Sequence, residues 1–210
     1  LRTIKNFLNE FEKFKNRTSF ISNYDIYIFK NEFETLYNDL KTKSYKHLPN
    51  FKNESNVLDN FFNTYSNIEK LIESRNNTYL QNEISETDKL LSNIENKSLD
   101  NQQRNAILVD EDNSLVIAGA GSGKTTTIAG KVKYLTERQN INPEEILLIS
   151  FTRKSADEMK ERIYKKLNID ISVKTFHKLG LDIIAEAKNE KPSIFSKSQK
   201  ETLQLLVSFI

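Results

Sequence analysis

Residues 114–126, Ser-Leu-Val-Ile-Ala-Gly-Ala-Gly-Ser-Gly-Lys-Thr-Thr, leave this chain few folds to choose from. The run predicts a short apolar strand at Leu115, Val116 and Ile117, a loop of small residues, and then a helix opened by Lys124 and Thr125. In that order, loop amides and a helix N-terminus converge on an anion. Glycine lets the backbone approach a phosphate closely, Lys124 supplies a cation to the β- and γ-phosphates, and the Thr125 hydroxyl suits a magnesium ion. Gly119, Gly121 and Gly123 are three of only five glycines, and none precedes them, so a plain Gly/Ser linker is a poor explanation. The strict pattern opens with glycine six residues before the lysine. Ala118 stands there instead, small enough for the turn if its φ is negative. The residues expected to hold a nucleotide are therefore Ala118, Gly119, Ala120, Gly121, Ser122, Gly123, Lys124, Thr125 and Thr126.

The rest of the chain divides by composition. Residues 1–98 contain no glycine, one proline (Pro49) and nine of the thirteen phenylalanines, whereas residues 99–210 hold every glycine and the β-branched apolar runs. A boundary is expected near Leu99. Charge is balanced, 31 Lys+Arg against 29 Asp+Glu, so net charge advertises no polyanion partner. Cysteine is absent, which excludes disulfides and thiolate metal sites and suits a reducing cytoplasm. No apolar run approaches the roughly 20 residues that span a bilayer, and no charged-then-apolar leader is present. The chain opens on Leu rather than Met and is expected to be a fragment.

In residues 1–98 apolar side chains recur at helical spacing. Ile26, Phe29, Phe33, Leu36 and Leu40 form one stripe, and Leu58, Phe61, Tyr65, Ile68 and Ile72 a second. Leu80, Ile84, Leu91 and Ile94 form a third, with Thr87 in the missing place; Leu1, Ile4, Leu8, Phe11 and Phe14 form another. The expected structure is an antiparallel helical hairpin or small bundle with its turn near Pro49. Interleaved aromatics and lysines suggest a nucleic-acid surface, but aromatics at this spacing are better read as core. Lys41, Lys43 and Lys46 beside His47 are better read as a solvated turn. The two histidines, His47 and His177, lie far apart in sequence and give little support to a metal site.

Beyond Leu99, Gln103 stands about twenty residues before Lys124. Its amide can donate and accept at once, as the adenine edge requires. Ile107-Leu108-Val109-Asp110-Glu111 imitates the apolar strand ending in Asp-Glu that holds magnesium, but it lies too close to the loop. It is read as the end of a helix that turns at Asp112-Asn113. A helix is predicted from Thr125 to about Gln139, followed after Pro143 by a strand, residues 146–151, apolar enough to be buried on both faces. An amphipathic helix through Met159, Ile163 and Leu167, a strand over 171–175, and a helix carrying Leu181, Ile184 and Ala185 complete an α/β layer. Ligands gather at the carboxyl ends of such strands. There, Phe151, Thr152, Arg153 and Lys154, and Thr175, Phe176 and His177, pair an aromatic for base stacking with hydroxyls and cations for phosphate. The bland alternative is that Phe151 and Phe176 cap the core.

These residues resemble the UvrD/Rep-type superfamily 1 DNA helicases. Leu99-Asp-Asn-Gln-Gln-Arg-Asn-Ala resembles the Q motif, Ala118-Gly-Ala-Gly-Ser-Gly-Lys-Thr resembles motif I, and Ile149-Ser-Phe-Thr-Arg-Lys-Ser-Ala-Asp-Glu-Met resembles motif Ia. Val173-Lys-Thr-Phe-His resembles the Thr-Phe-His element that follows, and the helical lead-in to the Q motif looks most like the helicase IV branch. The resemblance implies an α/β, partial P-loop (recA-like) parallel-sheet domain over 99–210, preceded by an all-helical accessory region over 1–98. It implies ATP and Mg2+ as cofactors, Gln103 on adenine, and Gly119 to Thr125 on triphosphate and magnesium. Phe151, Thr152, Arg153, Lys154, Thr175, Phe176 and His177 would lie on single-stranded DNA. The implied activity is an ATP-driven translocase that moves 3′ to 5′, unwinds duplex DNA and serves DNA repair. Many members have Arg where this chain has Thr126. Motif II and the second recA-like domain are expected outside residues 1–210, so the fragment is expected neither to hydrolyse ATP nor to unwind DNA. Two alternatives keep the same motor: a HelD-like relative that engages RNA polymerase through residues 1–98, and a helicase-like subunit of a phage-defence complex. A nucleotide kinase would not explain motif Ia and Thr-Phe-His in their order.

Overall fold

The computed structural model describes residues 1–42, 51–95 and 97–190, side chains 51–54 excepted. The expected turn at Pro49, with Lys43, Lys46 and His47, lies outside the described residues. The chain is mostly helical with one small parallel sheet and forms two compact units, Leu1–Asn140 and Ile141–Ile210. The compositional boundary near Leu99 therefore does not coincide with the division between compact units.

The first unit opens with α1 (Arg2–Lys15), α2 (Asn23–Thr42), α3 (Phe51–Ser66) and α4 (Ile68–Glu86). Ile4, Phe7, Phe11 and Phe14 recur at intervals of three and four along α1, so one stripe is buried. Phe7 is fully buried at its centre, while Leu1, counted in the predicted stripe, is exposed. The Phe7 ring meets Phe33 edge-on at 5.0 Å and Phe61 at 4.9 Å, and Phe14 stacks on Phe29 at 4.6 Å. Edge-on and offset pairs each add about 0.5–1.5 kcal/mol beyond area burial. Phe7, Phe11, Phe14, Phe29, Phe33, Phe61 and Tyr65 are core, whereas Tyr24 and Tyr27 are exposed. The stripe from Leu58 to Ile72 is not one helix, because Asn67 separates α3 from α4 and its amide bonds back to the Asn63 carbonyl at 2.8 Å.

Helix α4 buries polar groups as well as apolar ones. Asn76 accepts from the Ile21 amide at 3.3 Å and donates to the Ile21 carbonyl at 2.8 Å, satisfying a fully buried residue between helices. Asn76→Ala leaves both groups unpaired in the core. The expected loss is about 1–3 kcal/mol, read as a lower denaturant midpoint with an unchanged slope.

After the short α5 (Asp88–Leu91), α6 (Asn101–Leu108) packs against α4 and α7 (Lys124–Lys133), burying Leu99, Ile107, Ala129 and Val132. The approach to α7 is close: a Cβ on Gly130 would sit 2.6 Å from the Ile107 Cδ1. The predicted helix to Gln139 exists, but its last turn, Tyr134–Arg138, is a π-helix.

The predicted strand at Leu115–Ile117 does not form. Leu115 is 87% and Ile117 89% exposed, and among the described residues the run has no strand partner, because β1 and β2 pair only with each other. Extended backbone gains its stability by pairing, and three apolar residues without a neighbour stay outside any sheet.

The second unit reads β1 (Leu147–Ser150), α8 (Arg153–Leu167), β2 (Ser172–Thr175) and α9 (Phe176–Lys188). The strands are parallel, in a register that sets Leu147 opposite Ser172 and Ser150 opposite Thr175. Burial of β1 on both faces is not observed: Leu147 and Ile149 are exposed, and Leu148 and Ser150 half-buried. With β2 alone beside it, β1 keeps one open face.

Candidate functional site

Two clefts, one in each unit, gather part of the residues singled out by sequence; Ala120, Gly121, Gly123, Thr125 and Thr126 do not line the first, and Thr152, Lys154 and Phe176 do not line the second. The first, about 580 Å3, is lined by Gln103, Ala118, Gly119, Ser122 and Lys124, with Val116, Thr127 and Lys131 among others. Its geometry begins at α6. Asp100 caps that helix by accepting from the Gln103 amide at 2.8 Å, and the Gln103 Oε1 accepts in return from the Asp100 amide at 2.9 Å. This reciprocal cap fixes the side chain and turns its Nε2 towards the loop, where it donates to the Ser122 carbonyl at 3.0 Å. Both ends of the Gln103 amide are thus engaged.

The loop has the conformation its glycines permit. Gly121 and Gly123 adopt φ of +76° and +82°, in the left-handed region that side chains disfavour. A Cβ on Gly123 would also lie 2.6 Å from the Gln103 Nε2, the movable end of that side chain, so it is the positive φ that demands glycine there. A Cβ on Gly119 or Gly121 would meet nothing within 4 Å, so those positions face open space wide enough for a ligand to approach the backbone. Lys124, the first residue of α7, donates to the Ala118 carbonyl at 3.1 Å and the Gly119 carbonyl at 2.7 Å. Ser122 Oγ donates to the same Gly119 carbonyl at 2.9 Å. Ala120 is exposed, Thr125 is half-buried and Thr126 is buried. The α7 N-terminus and the Lys124 ammonium therefore stand at one opening, with the Ala118 and Gly119 carbonyls turned onto the ammonium.

Lys131 was missed as a lining residue. It lies seven residues beyond Lys124, two turns along the same helix face, and that spacing was the available signal. Its Nζ donates to the Ile107 carbonyl at 2.7 Å and the Val109 carbonyl at 3.2 Å, closing the C-terminal end of α6. Burial pushes its pKa down, against the opposing pull of Asp110. Asp110 pairs with Lys131 at 3.6 Å, and Glu111 accepts from the Asn23 amide at 2.9 Å. The false Asp-Glu motif is thus committed to structure.

The second cleft, about 610 Å3, is lined by Phe151, Arg153, Thr175, His177, Gly180, Leu181 and Ile184. The strand register builds it. Ser150 and Thr175 are paired, so Phe151 and Phe176 leave adjacent parallel strands side by side, and α8 and α9 start at the same edge. Phe151 is 96% and Phe176 71% exposed, which rules out their capping the core. Thr152 caps α8 by accepting from the Ser155 amide at 3.1 Å, and Thr175 caps α9 by accepting from the Lys178 amide at 3.2 Å. Their hydroxyls hold the helix starts. Arg153 and Lys154 are exposed in the first turn of α8. Lys174 and Lys178 are both held by Asp182, at 2.8 and 2.7 Å, and the bond to Lys174, reinforced by that to Lys178, keeps the Asp182 carboxyl below its usual range. Gly180, Leu181 and Ile184 add an apolar floor from one face of α9.

Comparison with known proteins places these clefts in context. The family described as the UvrD/REP helicase N-terminal domain matches residues 99–208. The chain is similar to DNA helicase IV of Escherichia coli, 38% identical over 136 residues that make up 64% of this chain and 20% of that protein. It is similar to the ATP-dependent DNA helicase Rep of Buchnera aphidicola (strain APS), 44% identical over 41% of this chain and 14% of the relative. It is also similar to the ATP-dependent DNA helicase PcrA of Leuconostoc citreum, 40% identical over 41% of the chain and 12% of the relative. The chain thus spans a fifth or less of the length of these relatives.

Proposed function

The chain belongs to the UvrD/REP helicase N-terminal domain family, and from that membership we propose that it is part of an ATP-dependent DNA helicase, a motor that tracks single-stranded DNA 3′ to 5′. The observation that carries this reading is the first cleft, where Gln103, the loop of residues 118–123 and Lys124 face one opening. Gln103 would read the adenine edge, the amides of Gly119 to Thr125 would cradle the triphosphate, and Thr126 would lie beside it. Lys124 would exchange its carbonyl partners for phosphate oxygens. Magnesium, when bound, neutralises charge on the β- and γ-phosphates, and the Thr125 hydroxyl is the ligand this loop offers it. In-line transfer also needs a carboxylate for the metal, a group to orient water and an arginine. We place those outside residues 1–210, and expect the isolated chain to bind nucleotide weakly and not to turn it over.

In the second cleft Phe151 and Phe176 would stack on bases while Arg153, Lys154 and His177 meet phosphates and the Thr152 and Thr175 caps aim the helix starts at the strand. Stacking is worth about 1–3 kcal/mol per base. Phe151→Ala or Phe176→Ala should therefore weaken oligo-dT binding by roughly 5- to 150-fold, while Lys154→Ala acts mainly through the salt dependence. Fluorescence anisotropy with labelled oligonucleotide reads both.

The reading as a whole is tested on the whole protein with duplexes bearing a 3′ or a 5′ single-stranded tail. ATP should drive unwinding of the 3′-tailed substrate. Equal unwinding of both, or none with either, would refute the proposed motor.

A further inference from the structure

One buried carboxylate takes no part in either cleft. Glu83 of α4 is 5% exposed, yet it accepts three hydrogen bonds: from the Tyr134 hydroxyl at 3.1 Å, and from the Arg138 Nε and Nη2 at 2.9 and 3.0 Å. The Tyr134 oxygen in turn accepts from the Gln139 amide at 2.7 Å. Every donor comes from the π-helical turn that continues α7, the helix whose first residue is Lys124.

We propose that Glu83 is a positioning residue for the phosphate loop: by clamping Tyr134 and Arg138 it sets the rotation and axial register of α7, and with them the placement of Lys124 and Thr125. This rests on the reading of the loop as a nucleotide site. Glu83 is buried but the Arg138 side chain is 41% exposed, and an ion pair with one partner in solvent adds little to stability by itself; what it can do is fix register. The geometry suits that use. A one-residue slip rotates an α-helix by about 100° and moves it about 1.5 Å, and would take all three donors off the carboxylate together. Short π-helical turns are rare and concentrate at functional sites; here the turn delivers Tyr134 and Arg138 to one acceptor. Two further contacts hold the same helices: Arg104 of α6 pairs with Asp88 at 2.7 Å, and the Lys133 Nζ donates to the Leu90 carbonyl at 3.3 Å. Residues 83–90, which precede the matched family region, thereby become part of the nucleotide site.

The deciding variant is Glu83→Met with Arg138→Met and Tyr134→Phe in the whole protein, which removes both charges and the buried hydroxyl together and keeps the volume. Three quantities are read: the unfolding midpoint, the affinity for a fluorescent ATP analogue, and the affinity for oligo-dT. The expected result is an unchanged midpoint and unchanged DNA affinity, with nucleotide affinity lowered about tenfold or more, as displaced binding groups produce. Unchanged nucleotide affinity at an unchanged midpoint would overturn the proposal, leaving the clamp a packing feature. If this triple variant does not fold, Tyr134→Phe alone, which keeps the ring and removes one donor, decides the matter: a few-fold loss of nucleotide affinity supports positioning, and no change overturns it. Failure of the underlying reading looks different, because then the unaltered protein does not bind the analogue or Lys124→Ala binds it equally well.

Discussion

Lys124→Ala is expected to abolish DNA-stimulated ATP turnover by the whole protein while leaving its fold intact. The side chain is exposed and bonds only to the Ala118 and Gly119 carbonyls of its own loop. Its loss should change stability by no more than about 0.5 kcal/mol, as for surface sites generally. Turnover is another matter under the proposed reading, in which the ammonium would leave the loop carbonyls for the charge that develops on the transferred phosphoryl group. Removing one such preorganised donor costs on the order of 100- to 1,000-fold in rate. A coupled ATPase assay beside a thermal melt separates the two effects. Full motor activity in the variant would overturn the assignment of residues 118–125 as a phosphate cradle, and a collapsed melt would mean that the lysine holds the loop together.

Glu83→Ala should have the opposite signature: a large stability loss. Deleting Glu83 leaves the buried Tyr134 hydroxyl without its acceptor and releases an Arg138 side chain that is itself 41% exposed, so the expected cost is that of one unsatisfied buried group, about 1–3 kcal/mol. The Arg138 guanidinium, retained partly by Glu86 at the surface, limits the loss to the lower end of that range. The effect depends on pH. Hydrogen bonds from Arg138, and secondarily from Tyr134, hold the Glu83 carboxyl below the ordinary glutamate range despite its burial. A lowered folded pKa means that the contribution is fully present above the unfolded pKa and is lost as pH falls through the folded one. The gap between unaltered protein and variant should therefore be widest near neutrality and close on the acid side, below the ordinary glutamate pKa. Denaturant titrations across that window check it, and a gap that widens in acid would contradict the geometry.

How legible was this in the chain itself? The aromatic stripes of α1 to α3 were, because apolar residues at intervals of three and four have few other uses. The starts of α6, α8 and α9 fall at Asp100, Thr152 and Thr175, residues whose side chains cap. The buried face of α4 was not: it runs Ile68, Ile72, Asn76 and Glu83, and an apolar pattern cannot recognise its last two members. The π-helix was equally hidden, since a 3.6-residue period simply extends α7 to Gln139. Leu115 to Ile117 failed for a different reason. A strand is a property of two segments, and one segment's sequence does not say whether its neighbour is present. Within the sites, motif spacing points to Gln103, Ala118, Gly119, Ser122 and Lys124 on one cleft and Phe151, Arg153, Thr175 and His177 on the other, but the uses of Gln103, Thr152 and Thr175 in helix caps emerge only from the coordinates.

The inward-turned Gln103 and Lys124 have a consequence for kinetics. A ligand entering this loop does not fill a waiting set of donors; it must displace the Ser122, Ala118 and Gly119 carbonyls from them. Each new bond gained is offset by an old one lost, so binding delivers only the difference between the two sets. In the proposed motor the same carbonyls would take Gln103 and Lys124 back as the ligand leaves, which would favour the quick exchange that repeated stepping needs.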